Sequence, residues 1–102
     1  MSENEENNNE RVDIEEYAKL GKKVPKASTY KIRIDREKYD VDIECMTGRE
    51  LLVLAGKIPE KFRINQKLKG GEVKKIGYDE SVCFTDPGVE RFMTLPLDPT
   101  EG

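Results

Sequence analysis

Apolar and polar residues alternate along two neighbouring stretches in the first half of the chain. Apolar side chains occupy every second position of residues 30–34 and again of residues 39–43, with charged residues between them. This alternation is typical of strands that bury one face, and the four polar residues between the stretches predict a β-hairpin. On the polar face, bases of the first strand would lie opposite acids of the second, which favours antiparallel pairing.

A helix is predicted directly after the hairpin. Thr47 is placed to cap it, and Glu50 stands three residues later, the spacing of a capping box. The apolar positions from Leu51 to Ile58 fall on one helical face. Gly56 and Pro59 then end the helix. The apolar face of the hairpin is available to cover this helix.

Strand-like alternation resumes in residues 62–68, and Gly70-Gly71 marks a turn. Short strands are predicted at residues 73–76 and 82–85, before Asp86-Pro87-Gly88 ends regular structure. The shared apolar phases predict a core formed by residues of the hairpin, the helix and the later strands: Ile32, Val41, Leu51, Leu54, Ile64 and Phe84.

These patterns divide the chain into four parts. Residues 1–12 form an acidic, apolar-poor arm that we expect to be disordered. Residues 13–28 hold a short helix capped by Asp13 and a linker, and this helix either docks on the domain or frays. Residues 29–88 form the domain. Residues 89–102 form an extended tail, whose first half either folds back over the domain or stays free.

Charge is distributed in three blocks along the 102 residues. Residues 1–16 carry a net charge of −6, residues 17–75 a net charge of +8, and residues 76–102 a net charge of −5. The acidic ends would compete with nucleic acid for the basic middle, which also lacks interleaved aromatic residues, so no nucleic-acid binding is expected. A solvated surface with self-complementary arms remains one interpretation, and an acidic protein partner the other.

Several kinds of chemistry have no support in the sequence. The chain has no histidine, and no glycine-rich loop has phosphate-binding spacing, so we expect no enzyme activity and no cofactor. Acids line one strand face, but bases lie opposite, and no metal site is expected. Only two cysteines, Cys45 and Cys83, are present, and we expect reduced thiols in a cytoplasmic protein. No apolar run is long enough to suggest a membrane span.

Four stretches of the sequence resemble the bacterial multiubiquitin-domain family of ubiquitin-like proteins: Tyr30-Lys-Ile-Arg-Ile-Asp35, Met46-Thr-Gly-Arg-Glu-Leu-Leu52, Gln66-Lys-Leu-Lys-Gly-Gly71 and Asp86-Pro-Gly-Val-Glu-Arg-Phe92. The resemblance covers roughly residues 13–102. It implies an α+β, β-grasp (ubiquitin-like) fold, with a mixed sheet of four to five strands packed on one helix. Members occur with an adenylating activating enzyme, a conjugating enzyme and a JAB-type metallopeptidase, which the resemblance implies as partners beside protein targets.

Gly102, the last residue of the sequence, is the expected site of conjugation. An enzyme can adenylate a glycine carboxylate without interference from a side chain. Leu97, Thr100 and Glu101 are the residues that we expect a partner enzyme to recognise in the tail. ATP and zinc would belong to the partner enzymes, and the free protein is expected to be a monomer. A sulfur carrier with a C-terminal thiocarboxylate and a non-covalent adaptor remain alternatives.

Leu68-Lys69-Gly70-Gly71 resembles the end of ubiquitin but lies between two predicted strands, so we interpret it as a tight turn rather than a processing site. The polar sheet face and the apolar positions after residue 88 supply the expected partner contacts. These contact residues are Lys31, Arg33, Arg63, Lys67, Phe92 and Leu95.

Overall fold

The computed structural model describes residues 11–97. The expectations for residues 1–10, and those for Thr100, Glu101 and Gly102, therefore lie outside the described residues. The elements in chain order are β1 Arg11–Asp13, α1 Ile14–Lys19, β2 Thr29–Ile34, β3 Glu37–Val41, β4 Cys45–Thr47, α2 Gly48–Leu54, a 3₁₀ helix Pro59–Lys61, β5 Phe62–Leu68, β6 Val73–Ile76, β7 Ser81–Cys83 and β8 Val89–Pro96.

Six of these strands form one mixed sheet. Its order is β1-β2-β8-β5-β6, and β3 pairs with β2 as the predicted antiparallel hairpin. Because β3 occupies one edge of β2 along residues 30–34, β1 and β8 share the other edge. β1 runs parallel to β2 at residues 29–31, and β8 runs parallel to it at Ile34. The mixed α+β architecture is consistent with the ubiquitin-like fold, but the main sheet has six strands instead of four or five, and α1 packs on it as well as α2.

Strand β8 lies in the centre of the sheet, so the prediction that the domain ends at residue 88 and continues as a tail is wrong. β8 pairs with β5 from Phe62↔Pro96 to Leu68↔Val89. The register shifts between Lys67 and Leu68, which leaves one extra residue on β8. This bulge turns Val89 and Phe92 toward the core although they are three residues apart. The break in period-two alternation is the reason that the sequence pattern did not indicate a strand.

Contacts from the hairpin turn and from aromatic side chains hold β8 in place. Asp35 adopts a left-handed conformation (φ 57°), and its carboxylate accepts hydrogen bonds from the Thr94 backbone N–H at 2.9 Å and the Thr94 hydroxyl at 2.7 Å. Phe92 is 0% exposed and meets Phe84 edge-on at 6.2 Å between ring centroids. Phe84 in turn contacts Tyr30 at 5.9 Å. The last strand of the sheet is therefore anchored to the centre of the core.

The N-terminal helix docks on the domain, which settles the alternative that the sequence left open. Asp13 caps α1 as predicted, accepting from the backbone N–H groups of Glu15 and Glu16. The segment also contributes four buried apolar residues to the protein interior: Val12, Ile14, Ala18 and Val24. Residues 11–28 are thus part of the folded unit, and Val12 does not belong to a disordered arm.

Glu15 explains why α1 lies where it does. In the hairpin, Arg33 is directly opposite Lys38, a like-charge pair that is unfavourable by itself. The Glu15 carboxylate is 4% exposed, with its oxygens 3.5 Å from Arg33 Nη1 and 3.6 Å from Lys38 Nζ. The Lys38 ammonium also donates to Asp13 at 2.6 Å, and this hydrogen bond, opposed by burial, raises the pKa of Lys38 above its ordinary value.

Helix α2 begins with the predicted capping box. The Glu50 backbone N–H donates to the Thr47 hydroxyl at 3.1 Å, and the Thr47 backbone N–H donates to the Glu50 carboxylate at 2.9 Å. A Cβ at Gly48 would lie 2.4 Å from the backbone oxygen of Gly77, so only glycine permits this close approach. Leu51 is fully buried as predicted, whereas Leu54 is only partly buried.

The short strand predicted at residues 82–85 is present as β7, Ser81–Cys83, but it does not join the main sheet. It pairs with β4 in a separate two-stranded sheet, where Cys45 and Cys83 are register partners. The two cysteines form a disulfide across a sequence separation of 38 residues, which overturns the expectation of two reduced thiols. No sequence pattern indicates that these distant segments pair, because neither is long enough to show a strand period.

The internal Leu68–Gly71 motif forms the predicted turn. It connects β5 to β6, and Gly70 and Gly71 have φ values of 95° and 97°. Residues other than glycine rarely adopt such backbone angles. The motif is therefore part of the folded sheet, and cleavage after Gly71 would separate β6 and β8 from their partner β5.

Replacing Phe92 with alanine should lower the free energy of unfolding by about 3–5 kcal/mol, because it empties a fully buried aromatic site in the central strand. Urea denaturation of the purified protein measures this loss. Leu95→Ala on the same strand is the matched control, since Leu95 is 44% exposed and its truncation should cost less than about 1 kcal/mol. Equal, small effects of both changes would contradict the placement of β8.

Stability should decline at alkaline pH through Lys38. Because its pKa in the folded protein lies above the ordinary 10.5, its contribution is complete below pH 10.5 and is lost as pH rises through the folded-state pKa. Lys38→Met should therefore flatten the alkaline limb of a plot of unfolding free energy against pH. Lys22→Met, at an exposed lysine without a described ion pair, should leave that limb unchanged. Identical limbs for both variants would refute the role of Lys38.

Candidate functional site

The polar face of the main sheet carries most of the predicted partner-binding side chains. Ile32 on β2 and Ile64 on β5 are fully buried, so the residues that alternate with them point away from the core. We call this surface the outer face. Lys31 and Arg33 lie on its β2 part, and Arg63 and Lys67 on its β5 part. The structure thus brings the four predicted cationic residues to one face of one sheet.

The β2–β3 part of the outer face is neutralised within the protein. Lys31 Nζ lies 3.3 Å from Asp40, its register partner on β3. Arg33 is held by Glu15 of α1, in the contact described above, and about two thirds of each cationic side chain is buried. These two residues can therefore engage a partner only in competition with intramolecular carboxylates. The prediction of partner binding at Lys31 and Arg33 remains untested, but their charges are already satisfied.

The part of the outer face formed by β5, β6 and β8 is different. Lys67 reaches the carboxylate of Glu90 only at 4.0 Å. Arg91 lies opposite Lys67 on β8, and its Nε, like that of Arg33, is buried without a hydrogen-bond partner among the described residues. Arg63 and Lys75 are exposed and form no ion pair within residues 11–97. Within this part of the chain, the positive charges of Arg63 and Lys75 are therefore unpaired.

The two apolar residues predicted to bind partners, Phe92 and Leu95, lie in different environments. Phe92 is completely buried between the hairpin and Phe84, so its assignment as a partner-binding residue is wrong. It was assigned to a tail because the bulge in β8 hid the strand pattern. Leu95, three residues later, is 44% exposed on β8 opposite Arg63. Leu95 is therefore accessible to a partner at the edge of the cationic region.

The last described residue marks where the chain leaves the sheet. Leu97, predicted to take part in tail recognition, donates its backbone N–H to the carbonyl of Lys61 at 2.9 Å and is half-buried. It lines a cleft of about 310 Å³ together with residues of β5, β6 and the following turn: Arg63, Lys75, Ile76, Gly77 and Tyr78. We call this the basic cleft. Thr100, Glu101 and Gly102, the other predicted tail residues, are not among the described residues.

Reasoning from the sequence missed three cations of the outer face: Lys38, Lys75 and Arg91. Lys75 stands on β6 directly opposite Asn65, which lies between Arg63 and Lys67 on the outer face of β5. The alternation in residues 73–76 is too short to assign a face from the sequence alone. Arg91 was hidden by the bulge, and Lys38 was placed in the predicted turn at residues 35–38, whereas β3 begins at Glu37.

Two further properties complete the description of the site. Within residues 11–97, no group of three or more cysteine, aspartate or glutamate side chains is arranged to hold a metal ion. In the same part of the chain, no helix has the length and apolar character needed to cross a membrane.

Comparison with known protein families gives a match over most of the described chain. The multiubiquitin family model matches residues 30–96, from the start of the predicted hairpin to the end of β8. No curated protein and no solved structure matches the chain. The matched region includes the β2–β3 hairpin, α2 and the central strand, but not β1 or α1. Since the match covers more than half of the sequence, the chain belongs to the multiubiquitin family.

Proposed function

We propose that this protein is a ubiquitin-like modifier that is attached to other proteins through the carboxylate of Gly102. The observation that carries the proposal is the family match, which ends at residue 96, where β8 also ends. A compact domain of this family is thereby followed by a short segment that leads to a glycine. The proposal applies to a chain that terminates at Gly102, whether by synthesis or by cleavage.

The proposed reaction has three steps. The Gly102 carboxylate attacks the α-phosphate of ATP on an activating enzyme, forming an acyl-adenylate and releasing pyrophosphate. A cysteine thiolate of that enzyme then attacks the acyl carbon, AMP leaves, and the thioester passes to a conjugating enzyme by exchange of thiols. An amine of the target finally displaces the thiol and forms an isopeptide bond. A glycine has no side chain to obstruct attack at its carbonyl, which suits it to each step.

The position of β8 limits how a partner enzyme can reach Gly102. The strand holds the chain to Pro96, and the Leu97 N–H bonds to Lys61. Five residues follow Leu97, and even fully extended they span at most about 18 Å. An enzyme that acts on Gly102 must therefore also approach the domain near Leu97. This geometry supports recognition of the domain and the tail together.

Under this proposal the chain supplies the electrophile and a recognition surface, and its partners supply catalysis. ATP would bind to the activating enzyme, and zinc to a JAB-type metallopeptidase that removes the modifier. The free modifier acts as a monomer in the cytoplasm, where ATP and protein amines are available. The cytoplasm is a reducing compartment, so the Cys45–Cys83 bond would be exposed to reductants there.

Deleting Gly102 should abolish covalent attachment without changing stability, because β8 ends six residues earlier. The measurement combines the protein, the activating and conjugating enzymes and ATP, and reads adducts by denaturing gel and intact mass. Gly102→Ala should slow adduct formation strongly, since a β-carbon is added beside the reacting carbonyl.

Gly71→Ala is the matched control, because it alters the internal glycine motif but leaves the end of the chain intact. Gly71 has a positive φ of 97°, so alanine at this position should lower stability, while adducts should still form. Adducts formed at the normal rate by the Gly102-deleted protein would refute the modifier proposal. A mass gain equal to the exchange of one oxygen for sulfur would instead identify a sulfur carrier. The absence of any covalent change in every variant would identify a non-covalent adaptor.

A further inference from the structure

We propose that the basic cleft binds a short acidic and partly apolar segment of a partner protein. The cleft lies at the point where the chain leaves the sheet, and its volume of about 310 Å³ is at the lower end of the range for ligand pockets. A few side chains of an extended peptide would occupy it. The proposal goes beyond covalent attachment through Gly102, because it assigns a separate non-covalent site.

The cations at the rim of the cleft give the first reason. Arg63 on β5 and Lys75 on β6 project from the same face, since Lys75 is paired with Asn65, two residues beyond Arg63. Both side chains belong to exposed residues, and neither has a carboxylate partner within the described part of the chain. Two adjacent unpaired cations attract a carboxylate, and an arginine can bind it with two hydrogen bonds.

The β2–β3 half of the outer face provides an internal comparison. There, Glu15, Asp13 and Asp40 already neutralise the cations. Among residues 11–97, positive charge is therefore paired on one half of the sheet and unpaired at the cleft. This asymmetry favours the cleft, rather than the whole outer face, as the place where an acidic partner binds.

The lining of the cleft gives the second reason. Leu97 is half-buried and supplies an apolar part of the lining beside the two cations, whereas Ile76, 2% exposed, belongs to the core beneath it. The Tyr78 hydroxyl donates to the backbone oxygen of Phe62 at 2.7 Å, so its hydrogen is not available to a ligand. A segment that places an apolar side chain next to an acidic one would match both parts of the surface.

The same residues argue against a nucleic acid as the occupant. Proteins that bind single strands combine a track of cations with aromatic rings on which bases stack. Among the described residues that line the cleft, Tyr78 is the only aromatic one, and Arg49 already lies over its ring at 5.2 Å from the centroid. The cleft therefore suits an acidic protein segment better than a nucleic acid.

The short connection from Leu97 to Gly102 assigns the basic cleft a role in recognition by a partner enzyme, and this part of the inference rests on the proposed function. A partner enzyme within about 18 Å of Leu97 would meet the basic cleft at the same time as the tail. An acidic segment of that enzyme would then hold the domain while the tail enters its active site.

The test uses a short fluorescent peptide of alternating glutamate and leucine, with binding to the intact protein measured by fluorescence anisotropy. The double variant Arg63→Glu/Lys75→Glu should weaken binding at least about ten-fold. Lys22→Glu/Lys23→Glu is the matched control: it makes the same change in net charge at two exposed lysines away from the cleft and should alter affinity less than about two-fold. Thermal unfolding should be similar for both, because all four side chains belong to exposed residues.

Two further probes define the occupant. A peptide with serine in place of leucine should bind more weakly than the original, and raising the salt to about 0.3 M should weaken both. An oligothymidylate of equal net charge should bind poorly. Equal loss of peptide binding in the control variant, or tighter binding of the oligothymidylate, would overturn the proposal.

The outcome is separable from the proposed function. The peptide assay contains no ATP and no partner enzyme, and the Gly102-deleted protein should bind the peptide normally. A protein that binds the peptide but forms no adducts would refute only the modifier proposal. A protein that forms adducts but does not bind the peptide would refute only the role of the cleft.

Discussion

The central position of β8 is the constraint on which the rest of the sheet depends. The strand joins two hairpins, β2–β3 and β5–β6, that have no other strand between them. Isolated two-stranded hairpins are marginally stable at best in water, so each gains its stability from the shared partner. Phe92 makes this connection also in the core, where it meets Phe84, which in turn packs on Tyr30. Strand order and packing therefore converge on the same eight residues.

Charge imposes a second constraint, at the β2–β3 hairpin of the sheet. The hairpin register forces Arg33 to face Lys38, and the buried carboxylate of Glu15 compensates for that pair. Burying a carboxylate is costly unless it is paired, and here two cations of the sheet and Lys19 of the same helix surround it. The family match begins at Tyr30, so this compensation comes from a segment outside the matched domain. The segment acts as a structural part of this protein and as a cover for half of its cationic face.

Elements with local signals could be predicted from the sequence, and elements defined by distant contacts could not. The hairpin, the capped start of α2, the Asp13 cap and the glycine turn all follow from residues within a few positions of each other. β8 escaped because a bulge breaks its alternation, and the disulfide escaped because it joins short strands far apart in the chain. The role of Glu15 depends on a register that no single stretch encodes. For the candidate site, the shared face of Lys31, Arg33, Arg63 and Lys67 was predicted, whereas the difference between its paired and unpaired halves required the tertiary structure.

The disulfide has a mechanical consequence because of what it encloses. The covalent ring closed by Cys45 and Cys83 contains every element from β4 to β7, while β8 lies outside it. Among the described residues, β8 is thus retained only by hydrogen bonds to its neighbours and by the packing of its side chains. In the proposed conjugate, a force applied through the attachment point would enter the domain at β8. A threading motor pulling on that end would extract the central strand first, and the sheet would separate into its two hairpins before the motor met the crosslinked ring.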